Sequence, residues 1–122
     1  MNIKLNEGEI YAGYYGTTPD ETIHVILLPG DNDGATWPHQ KKWATSIVGE
    51  LPTRFEQALL WQNCREHFKQ DWYWSSEEHA SAAGWVRCQN FIDGHQLSSY
   101  QITRLRARAV RRVVARSRNE TQ

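Results

Sequence analysis

Trp72-Tyr73-Trp74-Ser75-Ser76 sets three aromatic side chains in a row, and Trp85 and Phe91 follow a strand's length apart. So many rings bury a large apolar area, and their N–H and O–H groups need partners. A helix packs three consecutive rings poorly. A strand sends neighbours to opposite faces, and its pleat accommodates aromatic residues. The run is therefore read as a central strand, with the rest of the chain as its scaffold.

Downstream, Glu77 to Gly84 reads as a polar loop of small residues. Trp85 to Phe91 alternates, with Trp85, Arg87, Gln89 and Phe91 on one face and Val86, Cys88 and Asn90 on the other. Asp93-Gly94 is a strong hairpin turn signal. Gln96 to Thr103 is a polar strand or loop around Tyr100. Leu105 to Val114 reads as one last strand, with Arg106 and Arg108 facing away from Leu105, Ala107 and Ala109. Residues 115–122 form a polar, fraying tail.

Upstream, Thr53-Arg54-Phe55-Glu56 is a capping box that opens a helix to about Phe68, with Leu60, Cys64 and Phe68 on a core face. Leu51-Pro52 forces an extended link before it. Thr36 as N-cap and Pro38 in the first turn predict a helix from Trp37 to about Val48 that buries Trp43, Ala44 and Ile47. Gly49 is the expected left-handed residue after it. Pro29 to Gly34 is a break. Ile10 to Tyr15 and Thr22 to Leu28 predict an N-terminal hairpin, and the apolar run of the second strand implies burial on both faces. A hairpin, two helices and then an antiparallel meander indicate an α+β fold.

One domain, 1–122, is the natural unit for 122 residues: a hairpin over 1–29, a core over 30–114 and the tail. Six tryptophans are the outlier in an ordinary composition. No apolar stretch approaches the ~20 residues of a membrane span. The first residues lack a signal-peptide core, so a cytoplasmic protein is expected, or a virion-associated one if it belongs to a tail assembly. Cys64 and Cys88 have no metal-type spacing and are expected to be reduced and buried. Net charge is zero, yet seven arginines and one acid follow position 103. Either those arginines line a strand and pair with an acidic body, or they meet nucleic acid or an acidic partner.

Enzymatic chemistry finds little support. His24, His39, His67, His79 and His95 are scattered singly, with no metal-binding pair. Ser75-Ser76 lacks a nucleophile-elbow context, and no Gly-rich phosphate loop exists. Asp31, Asn32 and Asp33 lack the spacing and terminal Glu of a calcium loop. No enzyme activity, metal or cofactor is expected. Tyr73, Trp74 and Trp85 could stack a sugar or base, but Trp74 is read as core.

Five segments occur in a telling order: Trp37…Trp43-Ala44; Gly49-Glu50-Leu51-Pro52-Thr53-Arg54-Phe55-Glu56-Gln57-Ala58-Leu59-Leu60; Tyr73-Trp74-Ser75-Ser76-Glu77; Phe91-Ile92-Asp93-Gly94; and Arg106-Ala107-Arg108-Ala109-Val110-Arg111. Together, over roughly residues 30–113, they resemble the family named for the C-terminal domain of the Legionella collagen-like protein. Many short members are encoded by phages and prophages. The resemblance implies a C-type-lectin-like fold, two helices around a small twisted antiparallel sheet. That scaffold also serves formylglycine-generating enzymes and the variable receptor-binding proteins of diversity-generating retroelements. Oxidase chemistry of the former kind would need a close cysteine pair, and a helical Cys64 with a strand Cys88 argues against one. In the variable proteins, ligand contacts come from the strands and loops before the last strand.

Loops on a rigid scaffold are the usual seat of recognition. The expectation is thus a non-enzymatic binding protein that uses residues 77–103. The candidate contacts are His79, Arg87, Gln89, Asn90, Asp93, His95, Gln96, Tyr100 and Gln101. The partner would be a protein or a glycan, host-derived in a phage setting, with homo-oligomerisation as a further option. One alternative is an intracellular phage inhibitor docking on a host protein, with Arg106, Arg108, Arg111 and Arg112 as contacts to an acidic surface. Another is a nucleic-acid binder using the same arginines, disfavoured because the rest of the chain is acidic.

Overall fold

The computed structural model describes residues 3–116. Of the tail expected over 115–122, Ala115 and Arg116 instead belong to the last strand, and residues 117–122 lie outside the described residues. In chain order the elements are β1 (Ile10–Thr18), β2 (Glu21–Leu27), β3 (Asn32–Ala35), α1 (Trp37–Ser46), α2 (Arg54–Cys64), a 3-10 turn (Arg65–His67), β4 (Trp72–Glu78), β5 (Trp85–Asn90), β6 (Gln96–Tyr100), β7 (Leu105–Ala107) and β8 (Val110–Arg116). The class is α+β, with two helices and two sheets.

β1, β2 and β8 form an antiparallel sheet in that order; the second sheet runs β3-β7-β4-β5-β6. The second sheet is mixed, because β4 and β7 pair in parallel through Tyr73 and Arg106. This corrects the expected antiparallel meander. Residues 105–114 are likewise two strands in different sheets. The chain crosses over at Arg108-Ala109, where Ala107 and Ala109 are fully buried and small enough for the backbones to approach. The N-terminal hairpin is therefore tied to the end of the chain, and Ala12, Val25 and Leu27 sit in one core cluster with Leu60, Phe68, Tyr73 and Phe91.

β4 is the partition between two cores. Its alternation sends Tyr73 to the cluster with Leu60, Cys64 and Phe68 of the α2 segment, and Trp74 to the cluster with Trp37 and Ala44 of α1. The two helices thus pack against opposite faces of the five-stranded sheet. Trp74 Nε1 donates to the Ala35 carbonyl at 3.0 Å, and Trp37 Nε1 donates to the Ser75 carbonyl at 2.8 Å. Each indole buries its body and satisfies its N–H. Ser75 Oγ donates to the Arg87 carbonyl and accepts from the Glu77 amide, which fixes the irregular stretch between Trp74 and Glu78.

Local signals hold with exceptions. The Thr53–Glu56 capping box is complete. Thr36 occupies the N-cap position of α1 without a side-chain cap bond, and α1 buries Trp37, Gln40 and Ala44, with Trp43 only partly covered. The residue with left-handed backbone after α1 is Val48 (φ 60°), and Gly49 is not. Gly49 is required for a different reason: a Cβ there would stand 2.5 Å from Leu28 Cδ1. The predicted break at 29–34 contains β3, a four-residue strand that pairs with β7.

Candidate functional site

β5 and β6 form a regular antiparallel hairpin, with Trp85 opposite Tyr100, Arg87 opposite Ser98 and Gln89 opposite Gln96. These six side chains share one face, because directly opposed residues do. The face changes character along its length. At the Gln89–Gln96 end it is closed by α2: Gln89 Nε2 donates to the Gln57 carbonyl at 2.7 Å, and Gln96 Nε2 donates to Gln89 Oε1 and to the Arg54 carbonyl, each at 2.8 Å. At the other end it is open. Trp85 is 44% exposed and Tyr100 41%, their rings edge to face at 5.6 Å between centroids.

That aromatic pair is held by backbone. The Gln101 amide donates to the Gly84 carbonyl at 2.9 Å, and the Trp37 amide donates to the Gln101 carbonyl at 3.0 Å. Gly84 has φ +83°, and a Cβ there would lie 2.7 Å from Tyr100 Cε1, so only glycine lets the ring lie over this turn. Arg87, half-buried beside the pair, donates from Nη1 to Ser98 Oγ at 3.2 Å. The open end is an exposed aromatic surface with one guanidinium at its margin.

The other sequence-derived candidates divide. Gln89 is buried and bonded on both amide atoms, so it stitches sheet to helix and offers nothing to a ligand; this corrects its inclusion. Gln96 is half-buried in the same network. Asn90 accepts from the Ile92 amide, and His79 Nδ1 accepts from the Ser81 amide; both shape turns. Gln101 contributes its backbone. Asp93 and His95 are exposed at the hairpin tip, where the His95 amide and imidazole hold the Asp93 carboxyl below its ordinary value. Ile92, Leu97 and Ile102, all exposed near this hairpin, were not among the contacts read from sequence, and Trp85, also exposed, entered there only as a possible stacking ring. The alternation that put Trp85 on the Arg87 face was the available signal.

The arginine-rich end is turned into the fold. Arg106 Nε donates to Asp31 Oδ1 at 2.8 Å, and its Nη2 lies 3.0 Å from Asp33 Oδ1. Tyr73 Oη donates to the other Asp31 oxygen at 2.5 Å; burial and this bond push the phenol well above its usual range. Arg108 donates to the carbonyls of His67 and Leu28, closing the β7–β8 crossover, and its burial lowers its pKa. Arg111 binds Glu9, whose carboxyl drops to about 2 chiefly through that bond. Arg112 makes a two-pronged contact with Glu56 at 2.6 and 2.7 Å and also binds Glu50. Glu56 is fully buried and also takes the Tyr15 hydroxyl at 2.8 Å and the Thr53 amide at 3.0 Å. Burial pushes its pKa up, but the Arg112 guanidinium and the other donors outweigh that and leave it lowered. Tyr15 is pushed up to about 12 by burial and by Glu56.

Among the described residues no group of three or more His, Cys, Asp or Glu side chains could hold a metal ion, and no helix is long and apolar enough to cross a membrane. A cleft of about 400 Å³ beside this network is lined by Lys41, Thr45, Glu50, Leu51, Thr53, Ser76 and Arg112. No family model and no curated protein matches the chain.

Proposed function

We propose that this protein is a non-enzymatic binding module of C-type-lectin-like architecture. It recognises a macromolecule through residues 77–103, centred on the open end of the β5–β6 face. The observation that carries this reading is the exposed Trp85–Tyr100 pair, fixed by backbone bonds and flanked by Arg87. Tyr, Trp and Arg are the residue types that dominate binding hot spots, and a pre-ordered surface loses little entropy on docking. Asp93, His95 and the 101–104 turn form the rim. The architecture is supported by the order of hairpin, two helices and sheet, and by the pairing of the first hairpin with the last strand. With the five sequence segments quoted above, it favours a phage- or prophage-encoded protein with a host protein or glycan as partner. The arginine end is the weaker candidate surface, because Arg106, Arg111 and Arg112 already bind carboxylates of the same chain.

The test is a Tyr100→Ala, Arg87→Ala variant, together with Trp85→Ala, in quantitative capture of a partner from host lysate and host-surface glycans. Each variant should melt near wild type and lose about thirtyfold in affinity, the equivalent of a ~2 kcal/mol hot spot. Folded variants that keep full affinity for the captured partner overturn the assignment of this surface.

A further inference from the structure

Four strands lie at sheet edges: β1 and β8 in one sheet, β3 and β6 in the other. Exposed edges invite pairing with other chains, and proteins blunt them with bulges, charges or covering groups. Three of the four are blunted. β1 is bulged twice, and Asn63 of α2 covers it by donating to the Ala12 carbonyl at 2.7 Å. β8 carries Arg111, Arg112 and Arg116 and is bridged by Glu50. β3 is four residues long, irregular in register, and holds Asp33.

β6 has none of these devices. Gln96-Leu97-Ser98-Ser99-Tyr100 carries no charge and no proline, and its register with β5 is regular throughout. The Asn90 amide donates to the His95 carbonyl and the Gln101 amide to the Gly84 carbonyl. Alternation between those two bonds directs the backbone of Leu97 and Ser99 toward β5. It leaves the backbone groups of Gln96 and Ser98 and the amide of Tyr100 facing outward, while the Tyr100 carbonyl accepts from the Thr103 amide at 2.9 Å in the turn that follows. Five of the eleven exposed large apolar side chains among the described residues lie on or beside this hairpin: Trp85, Ile92, Leu97, Tyr100 and Ile102.

We propose that β6 pairs with β6 of a second copy of this chain, antiparallel about a twofold axis at Ser98. The edge is self-complementary. Ser98 meets Ser98, Gln96 meets Tyr100, and Leu97, 53% exposed, meets Ser99 on the other face. No like charges oppose across the pair, which would be destabilising. Zero net charge leaves the two copies without overall repulsion. Ile92, before the strand, is brought toward Ile102, after the strand, of the other copy, so exposed apolar groups at both ends are covered. The axis stands perpendicular to the joined ten-stranded sheet. Both Trp85–Tyr100 surfaces therefore lie on one face, and the dimer is bivalent for any partner they bind. The pairing itself stands independently of the recognition reading.

The experiment uses the protein alone. Light scattering at about 100 μM, above the micromolar Kd of a small interface, should give twice the 14.2 kDa chain mass. Ser98→Lys opposes two ammonium groups on the axis and should weaken the dimer at least about tenfold with an unchanged circular dichroism spectrum. Ser98→Cys should form an oxidation-dependent covalent dimer, since an opposed pair about 5.5 Å apart lies within disulfide reach. Leu97→Cys, which meets Ser99 rather than itself, should not. A monomeric wild type, a Ser98→Lys protein that stays dimeric, or equal crosslinking at 97 and 98 overturns the proposal. None of these readouts depends on an external partner, so failure here is distinct from failure of the recognition surface.

Discussion

Replacing Arg112 with Met keeps the apolar stem of the side chain and removes the guanidinium and its charge. Glu56 then remains fully buried with only the Tyr15 hydroxyl and the Thr53 amide as donors. Breaking a buried ion pair from one side costs about 3–5 kcal/mol, because the remaining charge is uncompensated. The lost Glu50 contact adds little, since that carboxylate is largely exposed. For a chain of this size the loss corresponds to roughly 10–20 °C in Tm. The pH dependence separates this mechanism from a simple packing loss. In the wild type the Glu56 pKa is lowered below its ordinary 4.5, so its contribution is present above that pH and is lost as pH falls through the lowered value. In Arg112→Met, burial dominates and the pKa rises above 4.5. The penalty then grows as pH rises from 4.5 through the new pKa, and shrinks in acid as the carboxyl takes a proton. Urea unfolding of both proteins between pH 4 and 8 measures the difference. A gap under about 1 kcal/mol, or one of constant size across that range, refutes the argument that a buried charge is being left alone.

Trp74→Ala should destabilise by roughly 3–5 kcal/mol, from lost burial, a cavity in the α1-side core and an orphaned Ala35 carbonyl; near-wild-type melting would place the indole outside the core. DNA affinity at physiological salt should be weaker than about micromolar, because the strand arginines are engaged by internal acids and carbonyls; tighter binding that falls steeply with salt, in a titration series, would reverse this. Cys64 and Cys88 should resist thiol reagents at pH 8 until denaturant is added, since burial lifts Cys64 to about 11 and also raises Cys88; rapid modification of native protein would contradict their burial.

Local chemistry was legible in the sequence. The capping box at Thr53–Glu56, the Asp93-Gly94 turn, the double-sided burial of Val25 to Leu28 and the alternation of Tyr73 and Trp74 each depend on residues close in the chain. Their periodicities of two and 3.6 carry over directly into structure. The pairing of the C-terminal arginines with an acidic body was also available, since charge asymmetry survives translation into three dimensions. Partners distant in sequence were decided by the tertiary structure. Alternation over 105–114 describes a strand equally well whether or not the chain changes sheets at Arg108; only the Leu28 and His67 carbonyls, reached by that guanidinium, make the crossing visible. Glu56 read as a helix cap, and its burial follows from Arg112, 56 residues away. Gln89 read as a surface polar residue on the same alternation as Arg87. Its neighbour Gln57 comes from α2, so the one face is closed at Gln89 and open at Trp85. Which strand becomes an unprotected edge is likewise a property of sheet order, and no local pattern in Gln96–Tyr100 records it.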